Sequence, residues 1–234
     1  MELRTEWLGR IDYRSAWARQ HDLVARRAEG SIPDTLLLLE HDPVLTLGRQ
    51  ADPGHVRAGA TELARRGIEL IRVERGGEVT YHGPGQLVAY PIVKLADRGV
   101  LLRPFVRALE GAMIETAAAY GVRAGRRERF PGCWCDAASI WARKLGAVGL
   151  RLERGVSFHG IALNVTTRLE DFELIDPCGM PDVRVTSIAR EAGWPAARAV
   201  PSTDSVREAG DLFAPAFERL LEEASRAAPA LAHA

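Results

Sequence analysis

Ile140-Trp-Ala-Arg-Lys-Leu-Gly-Ala-Val-Gly-Leu-Arg-Leu-Glu-Arg-Gly-Val-Ser-Phe-His-Gly-Ile-Ala-Leu-Asn-Val165 is the stretch on which the fold turns. Ile140 to Leu152 and Val156 to Val165 carry the apolar spacing of strands, and Arg151 to Gly155 joins them as a hairpin. Other strand segments lie outward from this pair. Leu87 to Val93 precedes it, a short run surrounds Cys133 to Cys135, and further upstream come Thr35 to Glu40, Val44 to Gly48 and Ile68 to Val73. The run of leucines in Thr35 to Glu40 suits a strand buried on both faces.

Helices interrupt these strands irregularly. Ser15 to Glu29 has Ala16, Gln20, Leu23 and Val24 near helical spacing, with Gly30 just beyond. Thr61 to Arg66 is a short helix stopped by Gly67. Arg103 to Tyr120 is amphipathic and Gly121 ends it. Leu169 to Leu174 is a short turn or helix. Ser202 or Asp204 caps a last helix running to about Ala224. This order fits an α+β fold better than a regular βαβ alternation. With 234 residues and no repeat or linker, it reads as one domain over 1–234.

Bulk properties exclude several functions. The 31 basic and 31 acidic residues balance, so no global field argues for nucleic acid or a membrane surface. No apolar run is long enough to span a bilayer, and the N-terminus has no signal-peptide h-region. The three cysteines cannot all pair internally, and the expected compartment is the cytoplasm. Of the basic residues only Lys94 and Lys144 are lysines, and 29 are arginines. A lysine kept against that bias invites a role that arginine cannot fill, since only lysine can give up its proton.

The candidate chemistry begins with Arg75-Gly-Gly-Glu-Val-Thr-Tyr-His-Gly-Pro-Gly-Gln86. It lacks the spacing of a P-loop or a dinucleotide fingerprint. It reads either as a turn between strands or as a backbone cradle that lets a ligand approach, with Tyr81 and His82 beside it. Cys133 and Cys135, two apart, face the same way in a strand and serve as core, redox pair or metal ligands. Cys178, between Pro177 and Gly179, is either core or a nucleophile with an oxyanion donor beside it. Counting by two places Lys144 on a face with Val148, Leu150 and Leu152, where it either snorkels or works. His159 and Asn164 flank small and apolar residues, and their meaning depends on their company. Arg126, Arg127 and Arg129 form a basic cluster suited to a solvated loop or to steering acidic partners.

Together these segments closely resemble the lipoyl(octanoyl) transferase family from about Leu38 to Ile188. The markers are Arg75 to Gln86, Lys144-Leu-Gly-Ala-Val-Gly149, His159-Gly-Ile-Ala-Leu-Asn-Val165, Pro177-Cys-Gly179 and, more weakly, Val185-Thr-Ser-Ile188. The resemblance implies the mixed sheet flanked by helices of biotin and lipoate ligases. It implies a medium-chain acyltransferase, with Cys178 carrying the acyl group and Lys144 as its partner. The substrate site would comprise Arg75, Gly76, Gly77, Glu78, Val79, Thr80, Tyr81 and His82; Ala147, Val148 and Gly149; and His159, Gly160, Ile161 and Ala162. No cofactor and no metal are expected. The implied donor is octanoyl-acyl carrier protein. The implied acceptors are lipoyl domains of 2-oxoacid dehydrogenase E2 subunits and the glycine cleavage H protein, served by a monomer. Gly146, Gly155 and Cys133 depart from the family's usual residues, and Gly146 with Ala147, Gly149, Gly160 and Ala162 would leave room for an acyl slot. The rival expectation is an ATP-dependent lipoate or biotin-type ligase on the same fold.

Overall fold

The computed structural model describes residues 2–177 and 183–227. The central layer is a mixed sheet of β1 (Leu3–Ile11), β2 (Asp34–His41), β6 (Gln86–Ile92), β10 (Val156–Asn164), β9 (Arg143–Glu153), β8 (Phe130–Cys135) and β7 (Ala124–Arg127), in that spatial order. A two-residue strand, β11 (Arg184–Val185), runs parallel beside the start of β9. A smaller sheet has the order β4 (Glu69–Arg72), β3 (Val44–Leu47), β5 (Val79–His82).

The leucine run places β2 at the centre, and all eight of its residues are buried. Its alternation serves two cores at once. Leu36 and Leu38 pack under α3 (Leu102–Ala119) and α5 (Thr203–Ala227), whereas Leu37 and Leu39 pack under α1 (Tyr13–Ala28) on the opposite face. A third core lies under the small sheet, built from Leu45, Val79, Tyr81 and Phe172, with Leu63 of α2 (Ala60–Arg65). Asp12 caps α1 by accepting the Ser15 N–H at 2.9 Å. Ser202, rather than Asp204, accepts the Ser205 N–H at the start of α5. The α4 turn (Ile188–Glu191) is capped by Ser187.

The expected hairpin forms: β9 and β10 pair from Glu153↔Val156 to Gly146↔Leu163. Arg154 and Gly155 both take positive φ, the conformation a two-residue turn between twisted strands demands. Strand β9 starts at Arg143, however, because Ile140 and Trp141 sit in a turn closed by Ser139 N–H to Asp136 O and Ala142 N–H to Ser139 O. Strands β1, β5 and β7 were not legible. Strand β1 is an edge whose polar residues face out, and a register shift between Trp7 and Arg10 breaks its alternation.

Asp34 ties three segments together. Its side chain is fully buried and accepts from Arg27 Nε (2.7 Å), Arg98 Nε and the Lys94 N–H (3.1 Å). Removing it would take from buried Arg98 its carboxylate and leave Arg27 with Asp97 alone of its two carboxylates. Asp34→Ala is therefore expected to lower unfolding stability by about 3–5 kcal/mol, read as a shifted urea midpoint at constant m. A change below about 1 kcal/mol would show that water replaces the carboxylate.

Candidate active site

Lys144 reaches its position through one extra residue. Cys133 pairs with Gly146 and Trp134 with Lys144, so Leu145 has no partner on β8. Such a bulge reverses the alternation of the strand. Leu145 is buried against α3 and α5, and Val148, Leu150 and Leu152 pack on the same core. Lys144 faces the other way, with Ala147 and Gly149. This corrects the expectation that Lys144 shares a face with Val148, Leu150 and Leu152. Its Nζ stands 5.1 Å from the centre of the Trp134 ring, and the residue is 7% exposed.

The same reversal separates the thiols from the lysine. Cys133 and Cys135 face the same way, as expected, but into the α3–α5 core. Burial pushes the Cys133 thiol far up and the Cys135 thiol up to about 12. Among the described residues no cluster of side chains could hold a metal ion. Cys178 and Gly179 lie outside the described residues. Gly146 also faces α3: an added Cβ would stand 2.7 Å from the Met113 sulfur, so Met113 already occupies that room. Gly146 also borders the small cavity that Lys144 and Ala147 line.

A narrow cleft opens between β9, β10 and the glycine-rich segment. Gly77, Glu78, Val79, Thr80 and His82 form one wall, and Ala147, Val148 and Gly149 with Gly160, Ile161 and Ala162 form the other. Lys144 stands in its lining, and Arg75 and His159 line it as well. Gly76 anchors the lip from outside by donating its N–H to Leu150 O at 2.9 Å. The lip lies close because Gly149 has no side chain; a Cβ there would come within 3.1 Å of Gly76 O. Arg75 folds back on β3, donating from Nη2 to Thr46 O (2.7 Å) and Thr46 Oγ1 (2.8 Å). Tyr81 stands apart from the cleft. Strand alternation turns it into the third core, where its hydroxyl donates to Asp171 Oδ2 at 2.9 Å.

Further lining comes from residues the sequence did not suggest. Tyr13 of α1 and Tyr90 of β6 reach the cleft beside His82 and His159. His41 of β2 supports them, sharing a 2.8 Å hydrogen bond with the Tyr90 hydroxyl. All five are buried. Burial holds all three imidazoles below their usual range, His41 at about 4, and pushes the Tyr13 phenol up to about 12. The cluster is polar but uncharged near neutral pH. His159 takes φ +54, and Gln20 of α1 steadies that backbone by accepting its N–H at 2.7 Å. From His82 a relay runs through Gln86 (2.8 Å) and Asn164 (2.9 Å) to Thr186 O (3.0 Å). Of the basic cluster, Arg126 pairs with Glu110 at 3.2 Å and Arg127 lies over Phe130 and Trp134.

A family model described as the lipoyl protein ligase A/B catalytic domain matches residues 12–210. An octanoyltransferase of Chloroflexus aurantiacus is 46% identical over 213 residues, covering 91% of this chain and 94% of that one. An octanoyltransferase of Desulfotalea psychrophila is 46% identical over 187 residues, covering 80% and 82%. Among solved structures, a lipoate-protein ligase A bound with ATP superposes with a TM-score of 0.65 at 17% identity, covering 97% of this chain and 93% of that one. A bi-partite lipoate protein ligase from Thermoplasma acidophilum gives 0.62 at 17%, covering 97% and 91%. At those identities the two structures establish the fold alone.

The buried imidazoles make stability depend on pH with a definite sign. An unfolded histidine takes its proton near pH 6.5, whereas folded His41 resists until about 4. The unfolded state therefore binds more protons in that window, and stability falls as pH drops through it. His41 alone accounts for about 3 kcal/mol between pH 6.5 and 4, and His82 and His159 act in the same direction. Urea unfolding across this range is expected to show the loss. His41→Asn should flatten the slope by about one proton; an unchanged slope would mean that His41 does not contribute.

Proposed function

The chain belongs to the lipoyl protein ligase A/B catalytic-domain family and is an octanoyltransferase of protein lipoylation, and we propose that it works through a Cys178 thioester served by Lys144. The observation that carries the site assignment is the shared environment of Pro177 and Lys144, which line one small cavity. The returning chain is pinned there too: Val185 is the register partner of Lys144, and the Thr186 N–H donates to Lys144 O at 2.9 Å. The deep burial of Cys133 and Cys135 on the opposite face of the sheet argues for Cys178 as the acyl carrier.

In this reading the acyl chain occupies the cleft between the lip and the β9–β10 wall. Burying the methylenes of an octanoyl group contributes about 5 kcal/mol, at about 0.8 kcal/mol each. The Cys178 thiolate attacks the donor thioester carbonyl, the donor thiolate leaves, and the acyl group remains on sulfur. The acceptor lysine amine then attacks that thioester. An amide forms, the Cys178 sulfur leaves, and Lys144 removes the amine's extra proton. The first step exchanges one thioester for another of similar free energy and the second runs downhill to an amide, so ATP is not needed. Arg75, His82 and His159 line the cleft as substrate-binding groups, as do Gly77 to Thr80, Ala147 to Gly149 and Gly160 to Ala162. Gly76 acts through the lip, and Tyr81 supports β5 from behind.

An acyl donor and lipoyl-domain acceptors follow from the family. The finer reading is octanoyl-acyl carrier protein as donor, and the lipoyl domains of 2-oxoacid dehydrogenase E2 subunits and the glycine cleavage H protein as acceptors. It includes a monomeric enzyme with one catalytic domain over 1–234, acting in the cytoplasm without cofactor. No described helix is long and apolar enough to cross a membrane.

Intact-mass analysis after incubation with an octanoyl thioester, without ATP, tests the mechanism. A single octanoyl adduct mapping to Cys178 is expected. Cys178→Ser should abolish turnover, and Cys133→Ala and Cys135→Ala should each retain most of it. Lys144→Arg should still acquire the acyl group but pass it on at least about a hundredfold more slowly, because arginine cannot take a proton. Labelling at Cys133 or Cys135, or a strict need for ATP, would overturn this reading. Normal transfer by Lys144→Arg would leave Lys144 an electrostatic partner only.

A further inference from the structure

The turn between β8 and β9 exposes two large apolar side chains side by side. Ile140 is 87% exposed and Trp141 56%. The turn is firmly built. Asp136 O accepts the Ser139 N–H at 2.8 Å, Ser139 Oγ accepts the Trp141 N–H at 3.0 Å, and Arg143 bridges Asp136 and Glu191 at 2.7 Å each. Arg184 lies over the Trp141 ring at 4.7 Å. The hydrogen bonds and ion pairs of the turn use neither apolar side chain; only the Arg184 stacking uses the Trp141 ring. A scattered exposed leucine calls for no explanation, but a rigid Ile–Trp tip backed by an arginine has the composition of a binding hot spot.

Position identifies what covers it. Trp141 precedes Lys144 by three residues, so their Cα atoms lie within about 11 Å. Arg184 pairs with Arg143, next to Lys144. The tip therefore stands at the rim of the reaction site. A thioester donor can deliver its acyl group from the end of a long flexible arm, and its body need not approach this rim. An acceptor lysine side chain spans only about 6 Å, so the body bearing it must press against the surface around Lys144.

Resting on the reading of the chain as an octanoyltransferase, we propose that Ile140, Trp141 and Arg184 form the docking site for the acceptor protein. The fitting partner is a folded domain whose lysine projects far enough to reach the buried Lys144. Near that lysine it offers a shallow apolar depression for Trp141 and a carboxylate for Arg184. The rigid turn keeps the ordering cost of docking low.

The test compares wild type with an Ile140→Ser/Trp141→Ala double variant and with Arg184→Glu. Three rates are measured: acyl loading from an octanoyl thioester, transfer from the loaded enzyme to a lipoyl domain, and transfer to a short lysine peptide. Both variants should load normally and serve the peptide normally, while KM for the lipoyl domain rises at least about tenfold. An unchanged KM overturns the proposal. So does an equal fall in all three rates, which would make the tip structural, or a change in sedimentation without a change in KM, which would make it a contact between copies. Failure of the wild type to load or transfer would instead refute the underlying octanoyltransferase reading, so the two failures are distinguishable.

Discussion

One unpaired residue, Leu145, governs how the site is assembled. Strand geometry places alternate residues on opposite faces, so a regular β9 would point Lys144 along with Gly146 and Val148 into the core beneath α3. An ammonium there would be costly and useless. The bulge lets Leu145 fill the core and turns Lys144 outward, beside Trp134 and the cleft. Bulges recur beside active sites because they re-aim a side chain without disturbing the rest of a ladder. Here the remainder of β9 keeps its pairing with β10 down to the hairpin.

The cleft then depends on how near the small sheet can come. Gly149 removes a side chain where Gly76 O approaches, and the Gly76 N–H binds Leu150 O, so the lip is held against β9. Arg75 is kept in the wall by Thr46. The result is a slot whose β9–β10 wall is small or apolar. An alkyl chain is held by such walls through burial, which is non-directional and scales with the area removed from water.

Tyr13, Tyr90, His82 and His159 are polar groups in the lining of this slot, and His41 stands behind them. Burial keeps the imidazoles neutral and the Tyr13 phenol protonated. These groups provide fixed dipoles, while Arg75 and Lys144 bring charge to the same lining. His159 adopts a left-handed backbone, and its N–H is taken by Gln20 from a distant helix. That arrangement places a strained residue at the site and supports it from outside, as such sites require.

The sequence by itself determined the α+β class, the leucine strand buried on both faces, a hairpin joined through Arg151 to Gly155 and the chemical segments around Arg75, Lys144, His159 and Cys178. These are local signals: apolar runs, turn glycines, and residue types packed within a dozen positions. It also showed the rarity of lysine that drew attention to Lys144. Only the tertiary structure decided that Lys144 leaves the face its strand parity assigns. A bulge exists through the register of two paired strands, not through the composition of one. Only the tertiary structure separated His82, in the cleft, from Tyr81, in the core behind it, since β5 acquires two faces by lying between two layers. Tyr13, His41 and Tyr90 come from three separate elements and carry no local mark. They become a site because packing brings α1, β2 and β6 together, and long-range proximity is the one property that spacing along a chain does not encode.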